Sequence, residues 1–337
     1  MTADNGTTTD NSTTTRVLRT TPSLALLYPR AVLTGFARRG QRLPDTEYVR
    51  RDLLVDQRHL ARYAEVCGFA VAGRLPVTYP HLLAFPVQIK LMSARTFPFA
   101  LAGLVHVANR VTQHRPLRVA EPLTLSVRAD NLRPHRRGRQ FDVLTECAVA
   151  GQVVWREVST YLKRERVPGR AAPPAPDQAP APGPDPTGHG TEEVVGTWRV
   201  AGDAGRRYAA VSGDRNPIHL HPVTARLFGF PRAIAHGMWT TARCLAALQD
   251  SLPDACTVDV RFARPVLLPA TVTLSRWSGD NHREDHRDGP GDGRDNGRGE
   301  SRGEHPDRGW GFALRQAGTA TPHLLGRVSP VGPVGPG

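Results

Sequence analysis

The sequence predicts an α+β fold made of two similar halves, each setting antiparallel strands around one long helix. An internal echo points to duplication: Arg115-Pro-Leu-Arg-Val-Ala-Glu-Pro-Leu-Thr-Leu125 returns as Arg264-Pro-Val-Leu-Leu-Pro-Ala-Thr-Val-Thr-Leu274, in register at Arg-Pro and at the closing apolar-Thr-Leu. The order of periodicities repeats too, a helical stretch giving way to alternating ones in both copies. Between the copies runs a tract with proline at every second or third position, the composition of an extended linker. A helix followed by a run of strands packs as two layers, and two such sheets can join edge to edge.

Taken in order, residues 1–16 are Thr- and Asn-rich and read as a disordered tail. Residues 17–169 form the first half. Pro80–Ala94 suits its helix, with proline tolerated in the first turn, and Leu101–Val111, Val119–Leu132, Gln140–Ala150 and Gln152–Lys163 alternate as strands do. Residues 170–190 are the linker, and residues 191–331 the second half. There Ala204–Val211 and Pro222–Phe228 suit short helices and His236–Leu248 a longer one. Cys256–Phe262, Val266–Trp277, Trp310–Ala317 and His323–Val328 then suit strands. Residues 279–308 hold little but Gly, Arg, Asp, Glu and His, too polar to offset the entropy of ordering, and read as a disordered insertion.

Composition narrows the function classes. The net charge of +13 comes almost entirely from arginine, with lysine only at Lys90 and Lys163, beside abundant Ala, Pro and Gly. That skew is a coding bias more than a nucleic-acid footprint, and neither a recognition helix nor an aromatic platform accompanies it. Cys67, Cys147, Cys244 and Cys256 are far apart and form no CxxC pair, which argues against zinc or a disulfide framework and fits a reducing cytoplasm. Met1–Thr15 lacks the apolar core of a secretion signal, and no stretch approaches the roughly 20 apolar residues of a membrane span.

Chemistry concentrates in one segment, Tyr208-Ala-Ala-Val-Ser-Gly-Asp-Arg-Asn-Pro-Ile-His219. Gly213 permits a sharp turn before Asp214, and Pro217 disfavours helical dihedrals at Asn216, so acid and imidazole share an irregular stretch. His236-Gly237-Met238 follows, reading as the start of an apolar helix whose first backbone N–H groups are free. An acid, a base and free N–H groups are the parts needed to move protons beside a carbonyl. Taken singly, Asp214 reads as a turn residue and His219 as a loop contact; together in this motif they read as a catalytic pair. His219 and His221 form His-x-His, but no further ligand follows, so no metal is expected. His236 reads as a residue that sets the start of its helix, and Tyr208 as packing beneath the loop.

These residues, with Ala225, Gly229-Phe230, Ile234 and Ala235-His236-Gly237-Met238, resemble the MaoC-like dehydratases, the family of the (R)-specific enoyl-CoA hydratases. The motif covers about thirty residues. The resemblance implies a hot-dog fold, duplicated in longer members, which would account for most of the chain. It implies reversible addition of water to trans-2-enoyl thioesters, giving (R)-3-hydroxyacyl thioesters in fatty-acid or polyketide-type metabolism. Asp214 and His219 would then be the catalytic pair, Gly237 the oxyanion-hole glycine, and Asn216 and Ser212 supporting residues. Some members carry a serine eight residues after that glycine, where this chain has Leu245.

No counterpart of the motif occurs in Cys67–Pro80, so the first half is expected to shape an acyl pocket and leave the chemistry to the second. Leu82, Leu83, Phe85, Ile89 and Leu91 are its candidate lining, with ordinary core packing the commoner role for such residues. Arg133, Arg136, Arg137 and Arg139 lie on a predicted hairpin turn, read either as a solvated turn or as a clamp for coenzyme A phosphates or an acidic acyl carrier protein. No cofactor is expected beyond that carrier, and a homodimer is compatible with exposed sheet edges. Two other readings are a hot-dog thioesterase, disfavoured because Met238–Leu248 contains no acid, and a non-catalytic acyl-binding subunit, which would need neither Asp214 nor His219.

Overall fold

The computed structural model describes residues 13–28, 41–101, 103–165, 191–278 and 309–332. The linker 170–190, the insertion 279–308 and residues 1–12 of the expected tail lie outside them. The first half contributes strands β1 (Thr14–Leu18), β2 (Thr46–Leu53), β3 (Leu104–Gln113), β4 (Leu123–His135), β5 (Gly138–Val149) and β6 (Gln152–Arg164), with helices α1 (Gln57–Cys67) and α2 (Tyr79–Met92). The second contributes β7 (Glu193–Val200), α3 (Ala204–Ser212), α4 (Pro217–Leu220), α5 (Pro222–Leu227), α6 (Gly237–Ala247), β8 (Cys256–Phe262), β9 (Ala270–Ser278), β10 (Trp310–Gln316) and β11 (Pro322–Pro330).

The strands form one 11-stranded sheet in the order β1-β2-β4-β5-β6-β3-β8-β11-β10-β9-β7. All neighbours are antiparallel except β1 and β2. The halves meet where β3 pairs β8 from Ala108↔Arg261 to Gln113↔Cys256, so the expected edge-to-edge join is present. Side chains reinforce the seam: Arg110 pairs with Asp259, and the Thr112 and Thr257 hydroxyls lie 3.0 Å apart.

Each half wraps its sheet around a buried helix. Helix α2 buries residues on every side, from Tyr79 to Met92, as an apolar helix must when a sheet encloses it. Helix α6 is its partner in the second half, burying Trp239, Ala242, Cys244 and Leu245 among others. Leu82, Phe85, Ile89 and Leu91 belong to the core cluster. All four cysteines are buried free thiols. Among the described residues, no helix is long and apolar enough to cross a membrane.

The echo marks a true structural repeat. Leu75 N–H donates to Leu117 O and Val119 N–H to Gly73 O; in the second half Ala235 N–H donates to Val266 O and Leu268 N–H to Ala233 O. The bridges Arg74↔Arg118 and Ile234↔Leu267 keep the same register. Helices α1 and α3 likewise each end on a left-handed glycine, Gly68 and Gly213, whose N–H returns to Ala64 O and Ala209 O. The residue after that glycine is Phe69 in the first half and Asp214 in the second.

Several boundaries move. Thr14, Thr15 and Arg16, given above to the tail, belong to β1, where pairing with β2 satisfies backbone groups that composition does not reveal. The strand expected from Val119 starts at Leu123, because Glu121 ties the preceding loop to Arg115 and to the Arg118 N–H. The strand expected from Val266 starts at Ala270, since Val266 and Leu268 bond to the segment ahead of α6.

Candidate active site

Helix α3 delivers the site. Its C-cap, Gly213, sits at φ 71°, a conformation glycine adopts without steric cost, and the chain turns there into Asp214. The turn is held by its own polar residues: Asp214 N–H donates to Ser212 Oγ (3.1 Å) and Asn216 N–H to Asp214 Oδ1 (3.1 Å). Asn216 caps α4 by accepting from Ile218 N–H, and Pro217 takes the first helical position, where a missing N–H costs nothing. That single turn of helix carries His219 inward, leaving it 8% exposed.

His219 Nδ1 lies 2.8 Å from the Ile234 carbonyl. A carbonyl only accepts, so Nδ1 carries the proton and Nε2 offers its lone pair. The ring stacks on His236, with centroids 3.7 Å apart and planes 24° from parallel. His236 Nε2 in turn donates to the Asp214 carbonyl at 3.0 Å and stands 3.6 Å from Asp214 Oδ2. His236 therefore pins the Asp214 turn against the start of α6, in keeping with the structural role expected for it. Tyr208, 2% exposed, packs against His236 with ring centroids 4.9 Å apart.

Helix α6 begins at Gly237, and no side chain caps it. Unpaired N–H groups and the positive end of the helix dipole thus face the region of Asp214 and His219. Gly237 has no room for a side chain: a Cβ there would come within 2.9 Å of the Phe262 ring. Phe262 in turn lies 5.0 Å from His106, which stacks on Tyr161 at 4.8 Å. The wall beyond Gly237 is therefore built partly by the first half, through residues that register across β3, β6 and β8 brings together.

Electrostatics fix the resting protonation. Burial would push the Asp214 carboxyl up, but the imidazoles of His236 and His219, the Asn216 N–H and the Tyr28 hydroxyl outweigh it and hold the group below the usual carboxylate value. Burial, then His236, push His219 down to about 3, against the opposing pull of Asp214 and the Ile234 carbonyl. At neutral pH the pair is one carboxylate and one neutral imidazole. The two groups stand close together, with ligand atoms within 4.8 Å of each other beside the start of α6.

Asp214, His219 and His236 each offer a ligand atom within 4.8 Å of the others, the one grouping among the described residues that could hold an ion. His236 Nε2, however, is engaged as a donor to the Asp214 carbonyl, and a protonated nitrogen is no metal ligand. His221 does not join them; it caps α5 by accepting from Val223 N–H.

Asp214, His219, Asn216, Ser212 and Gly237 thus assemble as the motif implies. The arginine run does form the β4–β5 hairpin, but two of its members are spoken for. Arg133 grips Asp142 with both ends of its guanidinium (2.8 and 3.1 Å), and Arg139 does the same with Glu165 (2.9 and 2.8 Å). The reading from sequence also missed a buried polar cluster, in which Glu157 of β6 accepts from His81, Gln88 and Asn109. Its donors keep the Glu157 carboxyl low despite burial, and α2 turns these polar residues, His81 and Gln88, toward the sheet. Alternation on β3 and β6 was the available signal, since Asn109 and Glu157 fall on inward positions. Tyr28 was missed as well, and no local pattern points to it.

Comparison with known proteins agrees with this geometry. Residues 191–291 match the MaoC like domain. Over 290 residues the chain is 37% identical to 3-hydroxyacyl-thioester dehydratase X of Mycobacterium tuberculosis, covering 86% of this chain and 91% of that protein. A crystal structure of HtdX from Mycobacterium tuberculosis superposes with a TM-score of 0.65 at 36% identity, over 84% of this chain and 99% of that one. A MaoC-like dehydratase of 17% identity shares the fold, with a TM-score of 0.60 over 85% of this chain and 98% of its own. Identity at the level of the first relative, sustained across nearly its whole length, means that the chain belongs to the MaoC-like dehydratase family, with that family's duplicated hot-dog fold.

Proposed function

We propose that this protein is a hydro-lyase that adds water to trans-2-enoyl thioesters and removes it from (R)-3-hydroxyacyl thioesters. One observation carries the reading: a carboxylate and a neutral imidazole stand together at the open start of α6 in a chain related to a 3-hydroxyacyl-thioester dehydratase.

The α-proton of a thioester is too weakly acidic for a histidine unless the thioester oxygen is stabilised as charge builds on it. The first N–H groups of α6 supply that stabilisation where the charge forms, and Gly237 lets the carbonyl approach. In hydration, water held between Asp214 and His219 Nε2 adds its oxygen to C3 while one of its protons passes to the pair. The enolate oxygen rests on the α6 N–H groups. The same proton then returns to C2, so the pair ends as it began and water has been divided between C2 and C3. Dehydration runs the same steps backward. In our assignment Asp214 takes that proton from the water that becomes the hydroxyl and passes it to His219 Nε2, which delivers it to C2. Proton transfer and oxyanion stabilisation call for no cofactor beyond the substrate's own carrier.

That carrier is coenzyme A or an acyl carrier protein. Arg137 sits on the hairpin with its guanidinium disfavoured by burial and by repulsion from Arg136 and Arg164, a strain that an anionic group would relieve. A cytoplasmic location accords with the four free thiols. A homodimer is consistent with the exposed outer strand β1.

The direct test is loss of enoyl-thioester absorbance when purified protein meets a short trans-2-enoyl-CoA, with chiral analysis of the product. Formation of (R)-3-hydroxyacyl-CoA is expected. Release of free coenzyme A would make the protein a thioesterase, and binding without turnover an acyl-binding subunit. The pH profile should also be distinctive. Protonating Asp214 or His219 removes an acceptor, and both groups resist protonation until below their ordinary values. We therefore expect kcat/KM to stay level from pH 8 down to about pH 5 and to fall only on further acidification. An acid limb near 6.5, where an unperturbed histidine titrates, would contradict the neutral, buried imidazole.

A further inference from the structure

Residues 24–28 form a helical turn near the start of the first half and outside the matched 191–291 segment. Leu24, Leu27 and Tyr28 are half-buried there while Ala25 and Leu26 face solvent, the spacing of a helix laid on a surface. That surface is the catalytic turn. A Cβ on Gly213 would lie 2.3 Å from Leu24 Cδ1, and Leu24 and Leu27 pack against the main core. From this position Tyr28 reaches a residue 186 places along the chain, its hydroxyl 3.2 Å from Asp214 Oδ1.

The direction of that hydrogen bond is determined. Arg215 N–H donates to the Tyr28 oxygen at 3.3 Å, and a carboxylate has no proton to give, so the phenol proton points at Oδ1. Asn216 N–H donates to the same Oδ1. One carboxylate oxygen thus holds two donors. Among the described residues, the other, Oδ2, has only His236 Nε2 at 3.6 Å, beyond hydrogen-bonding range.

We propose that Tyr28 is a positioning residue that makes Asp214 a one-sided base: by occupying Oδ1 it locks the carboxylate rotamer and reserves Oδ2 for water or the substrate hydroxyl. This rests on the hydro-lyase reading above. Burial and the neighbouring carboxylate raise the phenol far above its ordinary value, so it keeps its proton and acts through Asp214, not as an acid of its own. A complete site therefore needs a segment lying outside the catalytic hot-dog half.

Tyr28→Phe in the full chain removes the hydroxyl and keeps the ring. We expect kcat to fall about tenfold, the order of one hydrogen bond to a charged group, with KM within about twofold. A carboxylate that loses a donor protonates more readily, so the acid limb of kcat/KM should move to higher pH. Initial rates taken just after mixing neutral enzyme into acid would read the limb before unfolding intervenes. Thermal melting should fall by no more than a few degrees, as the loss of one hydrogen bond allows. Wild-type kcat and an unmoved limb would overturn the proposal. So would a lowered melting temperature with raised KM and an unmoved limb, which would make Tyr28 a packing residue only. Titration of the Asp214 carboxyl by 13C NMR, assigned with Asp214→Asn, reads the contact without substrate. If the wild type turned over no enoyl thioester, the hydro-lyase reading would fail, yet a raised Asp214 titration in Tyr28→Phe would still establish the contact. Identical titrations would refute it.

Discussion

Asp214→Asn and His219→Ala should each lower kcat for enoyl-thioester hydration by roughly 10²–10⁴-fold. The two losses should not multiply in the double variant, because both residues hold one water and one travelling proton. Asparagine preserves the shape of Asp214 and can still accept from Asn216 N–H and Tyr28, but it cannot take a proton. His219→Ala also leaves the Ile234 carbonyl without its donor, so some loss of stability should accompany the loss of rate. Steady-state rates with a short trans-2-enoyl-CoA, read beside melting curves, separate the two effects. Near-normal turnover in Asp214→Asn would remove the carboxylate from the mechanism.

Gly205→Ala should be nearly as damaging, for a steric reason. Gly205 lies within α3, where alanine would ordinarily gain about 1 kcal/mol of helix propensity. Here an added Cβ would stand 2.1 Å from the His219 carbonyl oxygen, and both partners are backbone. Either α3 or α4 must move, and α4 carries the imidazole. Overpacking of this kind costs about 1–3 kcal/mol or more, so the melting temperature should fall by several degrees and kcat with it. A variant as stable and as active as the wild type would show that α3 and α4 do not pack this closely.

The catalytic motif was legible because it is local. Asp214, Asn216, Pro217 and His219 build their own turn, and the side-chain bonds that hold it join residues two apart. The strands β5, β6, β8 and β10 were legible through alternation, and α2 through an apolar run opened by Pro80. Strands β1 and β7 were not, because these edge strands face solvent and carry the polar residues of loops, while Gly196 breaks the alternation in β7; β2 was not, because its buried Tyr48 and Val49 are adjacent and do not alternate. Tyr28 left no trace because its partner is distant in sequence and its neighbours are Leu and Pro. The ion pairs of Arg133 and Arg139 depend on which carboxylates the sheet brings opposite, and only register decides that. The polar cluster around Glu157 was hidden similarly, since an alternating strand shows which positions face inward but not whether partners await them there.

The β3–β8 seam has a consequence for how such a site can be altered over time. In a protein assembled from two identical copies, every contact at the shared edge off the symmetry axis occurs twice, and dilution pulls the copies apart. Here both edges lie on one chain, so each finds the other at an effective concentration set by the connection between them and not by the amount of protein. The two edges are also free to differ: Arg110 on one side answers Asp259 on the other, a pairing that self-matching copies would have to carry twice. The same freedom extends to the matching turns, where one half carries Phe69 and the other Asp214.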